Sequence, residues 1–277
     1  MLAETAYGKS SVRLVKVSRH GDRHDLKDLT VAIRFEGEYD QSYTDGDNRD
    51  VLPTDTMKNT VYALAAQHSV DEPEAFGRTL AEFFLERNPL LRRVRVDLTE
   101  QGWGRITVGA RDHGQAFVRH AAESRTATVQ GEAERITIGA GVRDLVILKS
   151  SRSGFTGFLR DQYTTLPDVA DRILATAMTA TWRYRTADLD FNLSWRAVRT
   201  TLLETFAEHD SQSVQHTLHA MGQAVLDNVE AVTAIRLVMP NKHHLPVDLS
   251  RLGLENRNEI FVPTDEPYGL IEASLIR

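Results

Sequence analysis

Two stretches near the start of the chain alternate between hydrophobic and polar residues, which is the pattern of half-buried β-strands. The first covers residues 12–17 and the second covers residues 28–35. Residues 19–27 lie between them and are mostly polar, with one glycine. The pattern therefore predicts a β-hairpin whose turn lies within residues 19–27.

Two amphipathic helices are predicted after the hairpin, because apolar residues recur at helical spacing. Their stripes are Met57, Val61, Leu64 and Ala65 in the first and Phe76, Leu80, Phe83 and Phe84 in the second. For the first helix, Thr54 and Asp55 are typical N-terminal capping residues. For the second, Asp71 and Glu74 have the spacing of a capping box, and Pro73 suits the first turn.

Strand patterns return at residues 91–98 and 103–108, with a break predicted at Gln101-Gly102. Residues 117–138 predict a further long hairpin, with its turn at Gln130-Gly131. The order of elements up to this point is β-β-α-α-β-β, with the long hairpin extending the same sheet.

The same order of elements is predicted a second time further along the chain. Strands are expected at 145–148 and 178–184, then two helices, then strands at 235–239 and 268–276. The helical stripes are Trp195, Val198, Leu202 and Phe206, and Val214, Leu218, Met221 and Val225. We therefore predict an α+β protein with two tandem domains, 1–138 and 139–277, each an antiparallel sheet with two helices on one face.

Charge and composition narrow the functional classes. The 277 residues include 33 Lys and Arg against 39 Asp and Glu, a net charge of −6 that argues against nucleic acid or an anionic membrane as the main partner. Cysteine is absent, which excludes thiolate nucleophiles and iron–sulfur clusters. No apolar run approaches the roughly 20 residues of a membrane span, and no secretory leader is recognisable, so a cytoplasmic protein is expected.

Common cofactor and catalytic motifs are missing from the sequence. It contains no G-x-G-x-x-G, no phosphate-binding loop, no G-x-S-x-G and no H-E-x-x-H, and its ten histidines show no spacing for three metal ligands. Dinucleotide binding, nucleotide-phosphate binding and zinc-peptidase activity therefore have no support from motifs in the sequence. The densest polar cluster, residues 241–244, follows a predicted strand; taken alone, an ordinary polar turn explains it best.

Eight short stretches, spread over nearly the whole chain, carry a resemblance to the urate oxidase (uricase) family. They are YGK at 7–9, TDTMKNTVY at 54–62, LKS at 148–150, GFLRDQYTTL at 157–166, DRILAT at 171–176, SVQ at 213–215, PNKHH at 240–244 and PYGLIE at 267–272. The resemblance implies the tunnelling fold, in which sheets of several subunits form a barrel. It also implies a homo-oligomer, expected to be a tetramer, with active sites between subunits. Residues 88–122 match the family poorly.

The resemblance assigns five residues to binding of a purine. Arg172 and Gln215 match the residues that grip the purine edge, and a guanidinium and an amide have suitable donors and acceptors. Phe155 matches the aromatic residue that stacks on the ring, and Val214 would add a backbone contact. Asp55 would orient either the purine or the Thr54 loop.

The resemblance also assigns residues to catalysis. Lys9 and Thr54 match the catalytic pair, and His243 matches its proton-relay partner. Asn241 and Thr54 would hold dioxygen or water over the ring. A lysine amine must be desolvated or placed among polarised partners before it can accept a proton at neutral pH.

The activity implied by the resemblance is the oxidation of urate by dioxygen and water to 5-hydroxyisourate and hydrogen peroxide, without metal or flavin. The C-terminus lacks the Ser-Lys-Leu peroxisomal address, which fits a bacterial-type cytoplasmic member. The residues leave two alternative functions open. One is another tunnelling-fold enzyme acting on a pterin or purine, and the other is a purine-binding protein without turnover.

Overall fold

The computed structural model describes residues 2–133 and 135–277, apart from the side chains at positions 121 and 122. The chain forms two compact units. The first contains the chain up to Gly141 together with Arg183–Trp195, and the second contains Val142–Trp182 and Arg196–Arg277. The tandem division into 1–138 and 139–277 stays a proposal based on the order of elements. No helix among the described residues is long and apolar enough to cross a membrane.

The first unit combines long antiparallel strands with three helices. Its elements are β1 (Tyr7–His20), β2 (Arg23–Gly37), α1 (Asp40–Thr44), α2 (Thr54–Gln67), α3 (Pro73–Arg87), β3 (Leu91–Val108), β4 (Arg111–Glu132) and the start of β5 (Arg135–Lys149). Neighbouring strands follow the order β1-β2-β3-β4-β5. The predicted hairpin is present, and its turn is shorter than expected because β1 and β2 pair as far as His20 and Arg23.

The second unit is built from the rest of the chain. Its elements include the end of β5, most of β6 (Leu174–Tyr184), most of α4 (Phe191–Glu208), α5 (Val214–Asn228), β7 (Val232–Asn241), β8 (His244–Pro246), a 3₁₀ turn (Ser250–Leu252), β9 (Phe261–Pro263) and β10 (Gly269–Ile276). Neighbouring strands follow the order β5-β6-β7-β10, and β8 pairs with β9 separately. Helices and largely antiparallel strands together confirm the predicted α+β class.

The predicted apolar stripes form the cores of both units. In the first unit, alternate residues of β2 are buried from Leu29 to Phe35, and α2 and α3 bury Met57, Val61, Phe76, Leu80 and Phe84. In the second unit, the buried stripes are Val198, Leu202 and Phe206 on α4, Leu218, Met221 and Val225 on α5, and Ile235, Leu237 and Met239 on β7. Apolar burial is thus the interaction that fixes which face each element presents to its sheet.

Both predicted helix caps are wrong. The residue that precedes α3 is Glu72, which makes no side-chain capping bond, and Pro73 is the first helical residue. The Glu74 carboxylate is instead buried against Arg125, whose guanidinium donates to it at 2.6 Å. Likewise α2 begins at Thr54 itself, after Pro53. A long-range ion pair and the fixed φ of proline thus replaced the local caps.

Two predicted interruptions are absent from the strands. Gln130 and Gly131 lie inside β4, opposite Arg95 and Val94 of β3, so the turn predicted there is wrong. The break predicted at Gln101-Gly102 is a shift of register within β3, which runs continuously. Pairing with neighbouring strands supplies backbone hydrogen bonds along these stretches and outweighs the turn preference of glycine.

Candidate active site

Lys9 lies near the beginning of β1, on a strand whose path is fixed by its neighbour Gly8. A Cβ at Gly8 would lie 1.9 Å from the Ile33 carbonyl oxygen, so no larger residue fits without moving the strand. A bulge follows directly, between Lys9 and Val12, and Ser11 takes the left-handed backbone conformation with φ 57°. Close strand approach and the bulge together determine where the half-buried Lys9 side chain leaves the sheet.

Tyr7 connects the strand of Lys9 to the segment that leads into α2. Its hydroxyl oxygen accepts a hydrogen bond from the Leu52 backbone N–H at 3.1 Å. The Tyr7 ring is held edge-on by Phe35 and Tyr39, with centroid distances of 5.7 and 4.9 Å, and burial raises the pKa of its hydroxyl. Since Thr54 begins α2 two residues after Leu52, Tyr7 is a positioning residue for Thr54.

Asp55 is exposed in the first turn of α2, and its carboxylate is hydrogen-bonded to side chains of the same helix. One oxygen accepts from the Lys58 ammonium at 2.5 Å and the other accepts from the Asn59 amide at 3.0 Å. The Lys58 hydrogen bond is the main reason that the pKa of Asp55 is lowered, and the charge of Lys9 acts in the same direction. These contacts favour the second of its two expected roles, which is orientation of the Thr54 turn.

In the second unit, the extended segment 153–155 links three residues that are expected to bind the ring. They are Phe155, Arg172 and Gln215, here termed the ring clamp. The Gly154 N–H donates to the Ser211 carbonyl at 2.8 Å, and the Arg172 N–H donates to the Ser153 carbonyl at 2.7 Å. Phe155 forms an isolated bridge with Val169. The segment therefore carries Phe155 between the stretch that ends in Arg172 and the residues just before α5.

Arg172 is half-buried and has an unused donor. Its guanidinium carbon lies 5.4 Å from the Phe155 ring centroid, and its buried Nε has no hydrogen-bond partner among the described residues. Burial lowers the pKa of this guanidinium. Phe158 also stacks on the Phe155 ring, with the ring centroids 4.8 Å apart and the planes at 8°. Because an unpaired buried donor is costly, Arg172 is suited to receive an acceptor from a ligand.

The N-terminus of α5 presents Gln215 and Val214 in its first turn. Ser213 is the capping residue, and its hydroxyl accepts from the His216 N–H at 3.1 Å. Val214 is buried, whereas the Gln215 side chain is exposed. Backbone N–H groups in a first turn have no acceptor within the helix, so the Val214 and Gln215 N–H groups can serve a ligand.

Asn241 and His243 lie at the end of β7, beside the beginning of β6. The Lys242 N–H donates to the Ala175 carbonyl at 2.9 Å, only three residues after Arg172. The His243 carbonyl accepts from the Thr264 N–H at 2.9 Å, and the Lys242 ammonium pairs with Asp265 at 2.8 Å. Strand pairing thus places Asn241 and His243 at the same end of the sheet as Arg172.

The structure therefore forms two groups from the expected site residues. Lys9, Thr54 and Asp55 form one group in the first unit, and Phe155, Arg172, Val214, Gln215, Asn241 and His243 form the other in the second unit. Four residues that support the two groups were not predicted from the sequence to do so: Tyr7, Gly8, Ser153 and Ser213. Of these, only Ser213 carries a local signal, as a serine directly before a helical stripe. Within the described residues, no three His, Asp or Glu side chains could together hold a metal ion.

Comparison with known sequences gives a consistent result. The family model described as uricase matches residues 5–130 and 138–272. The uricase of Arthrobacter globiformis is 42% identical over 277 residues, covering 100% of this chain and 90% of that protein. The uricase of Oryctolagus cuniculus is 36% identical over 280 residues, covering 99% and 93%.

Comparison with solved structures agrees with the sequence comparison. The crystal structure of the uricase from Arthrobacter globiformis superimposes with a TM-score of 0.96 and covers 100% of this chain and 95% of that chain, at 42% identity. The urate oxidase of Bacillus sp. TB-90 has the same fold, with a TM-score of 0.86 at 22% identity and coverage of 99% and 100%. As the matching stretches of the sequence predicted, the chain belongs to the uricase family.

Proposed function

We propose that this chain oxidises urate with dioxygen and water to 5-hydroxyisourate and hydrogen peroxide, and that it needs neither metal nor flavin. The observation that carries the proposal is the buried Nε of Arg172 beside the Phe155 ring, for which the described part of the chain offers no acceptor. A flat, anionic, nitrogen-rich ring would supply the acceptor that this guanidinium lacks. Family membership identifies urate as that ring.

Binding is proposed to use both edges and faces of the purine. The Arg172 guanidinium would donate to an anionic ring oxygen and a ring nitrogen, and the Gln215 amide can both donate and accept. The Phe155 ring would stack on the purine, a contact that contributes about 1–3 kcal/mol in base–aromatic stacks. The Val214 N–H, free in the first turn of α5, would add a further donor.

Catalysis is proposed to consist of proton movement and of placing the oxidant. Lys9 in its neutral form would remove a proton from urate through the Thr54 hydroxyl, with His243 as relay partner. Asn241 and Thr54 would hold dioxygen and then water over the ring. Two electrons and two protons pass to dioxygen to give hydrogen peroxide, and water supplies the hydroxyl group that bonds to carbon 5. Asp55 would keep the Thr54 turn in place.

We further propose that the protein is a homotetramer whose sheets form a barrel, with each active site shared between subunits. Lys9 and Thr54 would come from one chain, and Phe155, Arg172 and Gln215 from another. A site shared between subunits would explain why the proposed catalytic residues are spread along the sequence and do not lie in one continuous stretch. A cytoplasmic location is part of the same proposal.

Loss of urate absorbance by purified protein in the presence of a chelator, with oxygen uptake and peroxide release measured in parallel, tests the function. We expect all three signals without any added cofactor. Activity that appears only after addition of copper, iron or flavin would contradict the cofactor-free mechanism. Binding of urate without its consumption would support a purine-binding protein instead.

A further inference from the structure

Two histidines near Gln215 in the sequence, His209 and His216, have no role in the function proposed above. His209 follows directly after α4, and His216 lies in the first turn of α5, next to Gln215. Their rings contact each other edge to face, with centroids 4.3 Å apart and planes at 66°. The pair therefore connects the end of α4 to the turn that presents Gln215.

Each of the two rings makes a hydrogen bond through its Nδ1 atom. The Gln212 backbone N–H points at Nδ1 of His216 at 3.4 Å, and a backbone N–H can only donate. In this contact Nδ1 of His216 is therefore the acceptor. Nδ1 of His209 lies 3.2 Å from the hydroxyl of Thr217, which is fully buried, and burial is the main reason that the pKa of His209 is lowered.

Charged groups around the pair also act on its protonation. They are Lys149 at the end of β5, Arg152 in the following loop, and Glu208 and Asp210 beside His209. Lys149 and Arg152 disfavour a positive charge on His209, and Asp210 favours one. Asp210 is itself engaged by Arg152 at 2.5 Å, and Lys149 donates to the His209 carbonyl. Burial and the nearby cations Lys149 and Arg152 thus favour the neutral form of His209.

The same turn is connected to the clamp through backbone hydrogen bonds. The Ser211 N–H donates to the Arg152 carbonyl at 3.0 Å, and the Ser211 carbonyl accepts from Gly154, the residue before Phe155. The Ser211 hydroxyl donates to the Ser213 carbonyl at 3.0 Å. A displacement of residues 211–216 would therefore move Gln215 relative to Phe155 and Arg172.

We infer that His209 and His216 are positioning residues for the substrate, which as a neutral pair hold the first turn of α5, and with it Gln215, in the geometry that binds the ring. Protonation of His216 would place an N–H against the Gln212 N–H, and protonation of both rings would set two cations in contact. Acid would then weaken substrate binding more than turnover. This inference deepens the proposed function and rests on it.

The experiment compares wild type with His216→Asn, measuring KM and kcat for urate from pH 5.5 to 8. The asparagine side-chain oxygen can accept the Gln212 N–H and does not titrate in this range. In wild type we expect KM to rise about two- to tenfold towards acid, the effect of losing one hydrogen bond, with a smaller change in kcat. In His216→Asn we expect that rise in KM to be largely absent. Ionisation of urate itself cancels in the comparison because both enzymes receive the same substrate.

His219→Asn is the matched control, because it makes the same change at an equally exposed histidine three residues further along α5. Its KM profile should follow wild type. A wild-type KM that is flat over this range would overturn the inference, whatever the variants do. An identical acid rise in His216→Asn would also overturn it and leave the proposed function intact, whereas a wild type that never consumes urate would refute the proposed function itself.

Discussion

The guanidinium carbon of Arg172 lies 5.4 Å from the centroid of the Phe155 ring, and no described residue accepts a hydrogen bond from its buried Nε. A charged donor held half-buried beside an aromatic face is costly unless a ligand completes it. This relationship unites two residues that are 17 positions apart (172 − 155) and makes the second unit the binding half of the proposed site.

Removal of the Arg172 side chain should weaken substrate binding more than it slows turnover. Arg172→Ala leaves the anionic oxygen of the ring without its charged donor, a loss of about 2–5 kcal/mol by comparison with truncated buried charge pairs. Titration with a xanthine that the enzyme does not oxidise measures the change directly. Arg236→Ala serves as the control, because it removes an exposed arginine of β7 that pairs with Glu272 of β10. Equal affinity of Arg172→Ala and wild type would refute the clamp assignment.

Lys9→Met should abolish turnover while substrate still binds. Methionine keeps an apolar stem of similar length and removes the amine that accepts the proton, and positioned proton transfer contributes about 10²–10⁴-fold to rates. We expect kcat to fall within that range, with little change in the affinity for the unreactive xanthine. Ser10→Ala, a change at the exposed next residue, is the control. A variant that retained most of its kcat would exclude Lys9 as the base.

Mixed oligomers test whether the active site is shared between chains. At urate concentrations far below the KM of Arg172→Ala, homo-oligomers of Lys9→Met and of Arg172→Ala should both be nearly inactive, since every site carries the defect. After co-expression, some sites would receive both wild-type groups if Lys9 and Arg172 come from different subunits, and activity should partly return. Mass measurement verifies the mixing. If verified mixed oligomers stay inactive, both residues serve the same chain's site.

The buried pair of Glu74 and Arg125 predicts a stability change with pH. Burial raises the pKa of Glu74 from 4.5 to about 6, although Arg125 opposes the shift. At pH values between 4.5 and about 6, Glu74 is protonated in the folded protein and ionised in the unfolded chain. It therefore increases the free energy of unfolding as the pH falls towards 4.5, and this contribution is lost as the pH rises through about 6. The gain amounts to about 2 kcal/mol from a shift of this size.

Urea unfolding of wild type and Glu74→Gln at pH 7 and at pH 4.5 measures this effect. We expect the free energy of unfolding of wild type, relative to the variant, to be larger at pH 4.5 than at pH 7. Glu82→Gln alters an exposed pair with Arg78 on the same helix and should show no such dependence. A difference between wild type and Glu74→Gln that is the same at both pH values would contradict the prediction.

The hydrophobic pattern by itself determined the class of the fold and most of its elements. The stripes of α2 to α5 and the alternation of β2 and β7 were readable because burial imposes a period of 3.6 on helices and 2 on strands. Family resemblance in short stretches added the expected site residues, including Lys9 and Arg172. Those stretches were informative because they name residue types at fixed positions, which needs no knowledge of their spatial neighbours.

Only the tertiary structure decided where local preferences would be overruled. Glu74 was expected to cap a helix and instead pairs with Arg125, 51 positions away (125 − 74), and Gly131 lies within a strand because β3 pairs with it. The contact of Gly8 with Ile33 and the bond from Leu52 to Tyr7 were likewise invisible in the sequence. The physical reason is common to all of them. Long-range ion pairs, strand pairing and close backbone approach act between residues that are distant along the chain, and only folding brings their atoms within reach.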